Sequence, residues 1–412
     1  MHLIVLSGPT ASGKTRLAIQ LAQHYRTVVV SADSRQFYRE LSIGTAKPTA
    51  EERAAAPHYF IDSHSVEAPY SVGQYEAEAV PLLRRLFREH EVVILTGGSG
   101  LYLKAVCEGL DVFPEVPAEV RGAVEADLEQ RGLPYLQAEL RRLDPDYYAE
   151  VDLSNPHRLI RALSVIRSSG QPFSSFRQRA AAQRPFTPIS LQLQWPRAEL
   201  YDRINRRASR MLEQGLLEEA RALFPRRHLT ALQTVGYQEL FEHFEGRITI
   251  EEAIRLIKRN SRRYAKRQLT WFRRDGFWKL LQAGETETAI RYIELCRRQP
   301  LRWQYDKQPA SAGESLQLWQ EGQRIGQLER YPHRAEAFNQ VLQAPAPDCA
   351  WAWWHQVQLL ELDSERAFAQ LPAGVPGPDW PQLAPKALPD WATRRMAPPE
   401  GRLLRVPPPA LR

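Results

Sequence analysis

Eight residues near the start of the chain, Gly8, Pro9, Thr10, Ala11, Ser12, Gly13, Lys14 and Thr15, form the pattern Gly-x4-Gly-Lys-Thr directly after the apolar run Leu3–Leu6. The spacing suits phosphate. Glycines let the backbone turn tightly and approach oxygens, inward amides donate to them, Lys14 supplies a point charge, and the Thr15 hydroxyl can ligate Mg²⁺. The loop lies between a strand pattern and a helical one, Arg16–Tyr25, which is the context the motif requires. By itself it implies a bound di- or triphosphate, without saying which bond is broken.

A second reactive group follows the next strand pattern, in "SADSRQFYRELSIGTAKPT". Asp33 would stand at the carboxyl edge of the sheet, beside the phosphate loop, where open α/β sheets hold their ligands. It could bind metal, take a proton or simply cap a turn. Kinases and ATPases usually carry a metal-binding Asp at the end of a further apolar strand. Here the corresponding strand, Val92–Thr96, runs into "GGSG" at Gly97–Gly100, which weakens a phosphoryl-transfer reading.

The elements that must position these groups follow from periodicity. Leu3–Ser7, Thr27–Ser31, Tyr59–Ile61 and Val92–Thr96 read as short buried strands separated by helical patterns, predicting a P-loop NTPase-like parallel α/β sheet flanked by helices over residues 1–116. Residues 117–188 lose the strand signal and read as a helical insertion. "ISLQLQW" (Ile189–Trp195) returns the chain to the sheet. Residues 189–308 then continue in helices, from about Arg197 to Phe224, after "TVGYQEL", and from Ile250 to Asp275. Within Ile254–Lys279 there are ten Lys or Arg and one acid, while Ile254, Ile257, Tyr264, Ala265, Gln268, Leu269 and Phe272 share one face. Residues 309–412 are a compositional break, with 15 of the 31 prolines and six of the ten tryptophans. There "SLQLWQEGQRIGQL" predicts a hairpin turning at Glu321-Gly322, "WAWWHQVQLLEL" a strand, and Pro372 onward loose structure.

Composition narrows the classes. With 412 residues and 43% hydrophobic content the chain can bury a sizeable core. No apolar run approaches a membrane span, and the N-terminal run is too short for a signal peptide, so a soluble, cytoplasmic protein is expected. Cys107, Cys296 and Cys349 are too scattered for a disulfide framework or a zinc cluster. The net charge is +7, and residues 309–412 hold 10 Lys and Arg against 11 Asp and Glu, so the cationic excess belongs to residues 1–308. That is compatible with a polyanionic partner.

The chain resembles the tRNA dimethylallyltransferases, the IPP transferase family. The resemblance rests on "GPTASGKT", "DSRQFYRELSIGTAKPT", "GGSGLYLKA", "NPHRLIRAL", "LQTVGYQEL" and "RRYAKRQLTWFRRD", in that order over about residues 1–300. It implies that the loop grips dimethylallyl diphosphate, that carbon–oxygen rather than phosphoryl cleavage occurs, and that the acceptor is the exocyclic amine of the adenosine 3′ of a tRNA anticodon. It implies catalytic roles for Asp33 as base, Lys14, Ser99 (where threonine is usual) and Arg121. It also implies tRNA contacts by Asp33, Ser34, Arg35 and Gln36, by Ser99 and Arg121, and by His157, Arg158, Leu159, Ile160 and Arg161. With the match, the cationic helix reads as a tRNA stem contact through Arg262, Arg263, Lys266 and Arg267. Ser164 and Gln238 depart from the family's usual Glu and basic residue. Mg²⁺ as cofactor, the anticodon stem-loop as partner and a monomer are expected, and residues 1–308 are expected to suffice. Three rival readings are an adenylate isopentenyltransferase acting on free AMP, ADP or ATP, for which the insertion and basic helix would be superfluous, a P-loop small-molecule kinase, and a nucleotide-sensing RNA-binding protein without activity, against which intact Lys14, Thr15 and Asp33 count.

Overall fold

The computed structural model describes residues 1–68, 70–177, 182–274, 278–307, 313–333, 336–372, 375, 377–383, 388–393 and 401–408. They divide into two compact units, one of Met1–Val106 with Pro185–Arg412 and a helical one of Cys107–Arg184.

The first unit is built on a parallel sheet of six strands. These are β1 (His2–Ser7), β2 (Val29–Ser31), β3 (His58–Tyr59), β4 (Val92–Thr96), β5 (Thr187–Gln194) and β6 (Lys279–Gln282), in the order β3-β2-β4-β1-β5-β6. Central β1 pairs in register with β4 (Leu3 with Val93) and β5 (Leu3 with Pro188). It has neighbours on both edges and helices over both faces, so Leu3, Ile4, Val5 and Leu6 are all buried; this is why the run is continuous rather than alternating. Helix Lys14–Tyr25 buries Leu17, Ala18, Leu21 and Ala22 against that sheet. The edge strand β6 was not foreseen: four residues, "KLLQ", are too few to show a period.

The expected helix from Arg197 to Phe224 is two helices, Arg197–Glu213 and Leu216–Leu223. They are interrupted at Gly215, whose φ of 100° a helix cannot contain. The cationic helix runs Ile250–Arg274 and buries Ala253, Ile257, Ala265, Gln268 and Phe272. Asp275, the last residue of the basic motif, lies outside the described residues.

A second sheet follows, of β7 (Leu301–Lys307), β8 (Glu314–Gln320), β9 (Gln323–His333), β10 (Glu336–Gln343), β11 (Arg366–Pro372), β12 (Gln382–Leu383) and β13 (Gly401–Arg405). It starts eight residues before the compositional break, because β7 pairs with β8 along its whole length. The hairpin turns where expected, with Glu321 and Gly322 both at positive φ (49° and 80°), the geometry of a two-residue primed turn. "WAWWHQVQLLEL" is not a strand: its residues 351–360 belong to helix Pro347–Leu360, and Glu361 and Leu362 follow the helix end. Proline at its first turn and burial of Cys349, Ala352, Trp353, Gln356 and Val357 at helical spacing override the aromatic composition. Beyond Pro372 the chain still contributes β12 and β13, the latter paired with β11.

The helical unit packs Val124, Leu136, Leu140, Leu159, Leu163 and Phe173 into a core of its own. Among the described residues no helix is long and apolar enough to cross a membrane.

Candidate active site

The carboxyl ends of β1, β2 and β4 bring three loops together. After β1, Gly13 takes a left-handed conformation (φ 96°) and caps the helix that starts at Lys14. Lys14 Nζ donates to the carbonyls of Gly8 (2.9 Å) and Pro9 (2.8 Å), curling the loop around its own ammonium. Burial draws this lysine down to about 8, with the Asp33 charge opposing and Arg207 adding to the shift. The Ser12 hydroxyl is buried without a hydrogen-bond partner, so the loop holds an unused polar group.

The loop is held from outside as well. Trp195, at the end of β5, donates its indole N–H to Ser12 O (2.9 Å), and Arg203 donates to Ala11 O (2.9 Å) while stacking on Trp195. Gln268 of the basic helix accepts from the Thr10 amide (2.9 Å) and donates to Gly98 O (2.9 Å), joining the phosphate loop to the "GGSG" loop. A side-chain carbon at Gly98 would collide with Gln268, and one at Gly100 with Trp271. Gly98 and Gly100 are thus glycines because the basic helix closes onto them.

After β2, Asp33 Oδ1 accepts from the Arg35 amide (3.0 Å), leaving its second oxygen for other partners. Ser34 and Ser99 share a hydroxyl contact of 3.1 Å, and the Ser34 amide donates to Ser99 Oγ (3.4 Å). Tyr264 of the basic helix lies beside Ser99 and within the field of Asp33. Burial and the Asp33 charge push its phenol up to about 12, so it stays a neutral donor at physiological pH. Arg35 donates to Ala231 O and Gln36 to the carbonyls of Thr45 and Ala46. The Glu219 carboxylate accepts from the amides of Ser42, Ile43 and Gly44 and from Tyr237 Oη (2.6 Å), which fixes the "SIGT" turn.

Asp33, Ser34 and Arg35 line a cavity of about 350 Å³ together with Thr10, Arg207 and Tyr264. Arg207 donates to Thr45 O (3.3 Å) and sits within the field of Asp33, while burial lowers its guanidinium. Its role was missed in the run "RINRRASR". The available signal was phase: Leu200, Ile204 and Ala208 form the buried stripe, Arg203 and Arg207 flank it, and Arg206 faces solvent. Gln268 could have been singled out as the one amide on an otherwise apolar face.

Among the described residues no three His, Cys, Asp or Glu cluster as a metal site. Mg²⁺ nonetheless fits the donors present, since it takes few protein oxygens and shares phosphate oxygens, and the Thr15 hydroxyl and Asp33 carboxylate are hard oxygen ligands.

The remaining expected residues are less uniform. Arg263, Lys266 and Arg267 are exposed, Arg267 lining the cavity, whereas Arg262 is committed to Asn205 Oδ1 (2.6 Å). Arg121 belongs to the helical unit, exposed and paired with Glu125 (2.9 Å). In helix Pro156–Ser169, His157, Arg158 and Arg161 are exposed, but Leu159 and Ile160 are buried in that unit's core. The expectation that Leu159 and Ile160 face tRNA is corrected. A five-residue segment spans more than one helical turn, so its apolar members point inward while the cations point out.

A family model described as IPP transferase matches residues 36–275. The tRNA dimethylallyltransferase of Cytophaga hutchinsonii is 51% identical over 293 residues, 71% of this chain and 96% of that protein. The full-length tRNA isopentenylpyrophosphate transferase of Bacillus halodurans is 36% identical, with a TM-score of 0.53 over 72% of this chain and 95% of that one. The fold is shared also with a eukaryotic dimethylallyltransferase crystallised acting on tRNA, at a TM-score of 0.62 and 24% identity, over 72% of this chain and 79% of that one.

Proposed function

This chain belongs to the IPP transferase family, and on that premise we propose that it moves a dimethylallyl group from dimethylallyl diphosphate to the exocyclic amine of an adenosine in tRNA. The acceptor in this reading is the adenosine immediately 3′ of the anticodon in tRNAs reading codons that begin with U. The observation that carries it is that Thr10 of the phosphate loop, Asp33, Ser34 and Tyr264 line one cavity, with the Ser99 hydroxyl in contact with that of Ser34.

The chemistry follows from charge. As the allylic carbon–oxygen bond breaks, negative charge collects on the leaving diphosphate. The loop amides and Lys14 stabilise it, with Lys14 able to exchange its two carbonyl partners for phosphate oxygens. Mg²⁺, held by Thr15 and the diphosphate, would supply further Lewis-acid stabilisation of the leaving group. Adenine's amine is a weak nucleophile because its lone pair is delocalised into the ring. Asp33, with one oxygen uncommitted to the Arg35 amide, takes the amine proton as the carbon–nitrogen bond forms. Ser99 and Tyr264 donate hydrogen bonds that orient the incoming base, and the base must leave its stack to reach them. Exposed Arg263, Lys266 and Arg267, and Arg121, His157, Arg158 and Arg161 of the helical unit, are assigned to tRNA phosphates in this reading.

Incubating the chain with Mg²⁺, dimethylallyl diphosphate and either an unmodified anticodon stem-loop or free AMP tests the proposal. A dimethylallyl mass increment on the stem-loop is expected. An increment on AMP alone would identify the rival adenylate transferase, and none on either would reject prenyl transfer.

A further inference from the structure

The basic helix borders a cavity on each flank. Tyr264 and Arg267 face the catalytic one, whereas Lys266, Leu269, Phe272 and Arg273 line a second, of about 580 Å³, whose other walls come partly from the C-terminal sheet. Its volume is in the range of small-molecule sites, roughly 300–1,000 Å³. The transfer chemistry does not use it.

Its walls are aromatic, and three of the rings are held in place. Trp195 is anchored to Ser12 O, Trp303 donates to Tyr292 Oη (3.0 Å), and Tyr305 donates to Glu314. Trp278 also lines the cavity, and its indole N–H is buried with no hydrogen-bond partner.

The charges are unevenly committed. Arg330 is held by Glu314 (2.6 Å) and Glu361 (2.8 Å), Glu336 by Trp391 and Arg366, and Asp363 accepts from the Arg197 amide (2.7 Å). The carboxylates of the wall are thus already engaged. Lys266 and Arg273 are exposed and form no close ion pair among the described residues, although Arg273 lies in the field of Glu314. Aromatic faces beside two exposed cations match a planar base carrying phosphate. An apolar ligand would draw nothing from the two cations.

We propose that this second cavity, formed jointly by the basic helix and the C-terminal sheet, is a nucleotide-binding site. The base stacks on the faces of Trp278 and Tyr201, and Lys266 and Arg273 meet the phosphate. The nucleotide is either free or part of the RNA bound along the same helix.

AMP is the probe, titrated calorimetrically into the full chain with Mg²⁺ and inorganic diphosphate at saturation, so that the phosphate loop is filled. The wild-type chain binds AMP, and Kd rises at least tenfold in Arg273→Glu, which removes a cation, and in Leu360→Trp, which fills the cavity from helix Pro347–Leu360. Melting temperature and diphosphate affinity show that each variant is folded. Titration with unmodified tRNA separates the sources. If the base belongs to RNA, AMP competes with tRNA and both variants weaken tRNA binding; if it is free, tRNA binding stays level while AMP binding falls. AMP binding that survives both substitutions, or undetectable AMP binding with equal tRNA affinity in all three proteins, overturns the proposal.

Discussion

At Asp33 two chemical roles diverge in a measurable way. As general base it acts in the transition state, so Asp33→Asn should lower single-turnover transfer by roughly 10²–10⁴-fold while equilibrium binding of stem-loop and diphosphate persists. As a metal ligand it would act in the ground state: the variant would bind diphosphate poorly and recover with added Mg²⁺. A Mg²⁺ titration of rate and binding distinguishes them, and near-normal turnover removes Asp33 from the mechanism. Lys14 gives a pH-dependent test. Its folded value of about 8 lies below that of an unfolded lysine, so its burial costs stability below pH 8, a cost relieved as pH rises towards 10.5. Diphosphate favours the ammonium form, so above pH 8 binding must take up a proton. Affinity should then fall by up to about tenfold per pH unit. Calorimetry in two buffers of different ionisation enthalpy should show that uptake at pH 9 and none at pH 7, and Lys14→Arg, which does not titrate there, should flatten the decline. The motif spacing announced both residues, because the chemistry of each depends on its own loop. Arg207 and Tyr264 did not announce themselves, since their importance comes from what lies across the cavity.

The basic helix performs three tasks on two faces: Ala265 and Phe272 pack, Gln268 between them joins the loops after β1 and β4, and Arg263, Lys266 and Arg267 stay on the exposed side. Neutralising Arg263 and Arg267 should flatten the salt dependence of tRNA binding, each lost phosphate contact removing roughly 0.7–0.9 from the log–log slope. Arg262→Gln should leave the slope unchanged and instead loosen the contact with helix Arg197–Glu213, where Arg262 holds Asn205. Binding isotherms across a salt series decide the matter, and identical slopes for wild type and the double variant would make this face merely solvated. The face pattern of this helix was legible because 25 residues give the 3.6-residue period seven turns in which to show. Strand β6 and helix Pro347–Leu360 were not: four residues carry no period, and a tryptophan-rich stretch fits either element until packing partners choose. Leu159 and Ile160 show the converse error, in which a motif match was carried over whole although the helix period would have divided it.

For the whole molecule the decisive fact is that the core does not stop where the composition changes. Ile4, Leu281, Ile293, Trp303, Trp353 and Leu371 belong to one continuous cluster, so the C-terminal sheet shares its interior with the transferase core. Lys279, wholly buried on β6, reaches helix Pro347–Leu360 at Ala352 O (3.2 Å), His355 Nδ1 (2.7 Å) and Gln356 Oε1 (3.3 Å); His355 in turn meets Glu285 (2.9 Å). Relatives manage without such an extension, since 71% of this chain matches 96% of the Cytophaga hutchinsonii protein. In this chain the surface beneath it is apolar. The sequence-based expectation that residues 1–308 suffice therefore separates into two parts. Cutting after residue 308 leaves β7 without β8, uncovers Trp303, Tyr292 and Ile293, and strips the Lys279 ammonium of its acceptors, so the truncated chain should melt earlier and aggregate. The contacts among Lys14, Asp33, Ser99, Tyr264 and Gln268 involve no residue beyond 268, so the fraction that stays folded should transfer the prenyl group at nearly the full-length single-turnover rate. Melting curves and active-site-normalised turnover on the same preparations test both parts. A truncated chain as stable as the parent would show that the shared core contributes nothing, and a folded but inactive one would place the C-terminal sheet inside the catalytic machinery.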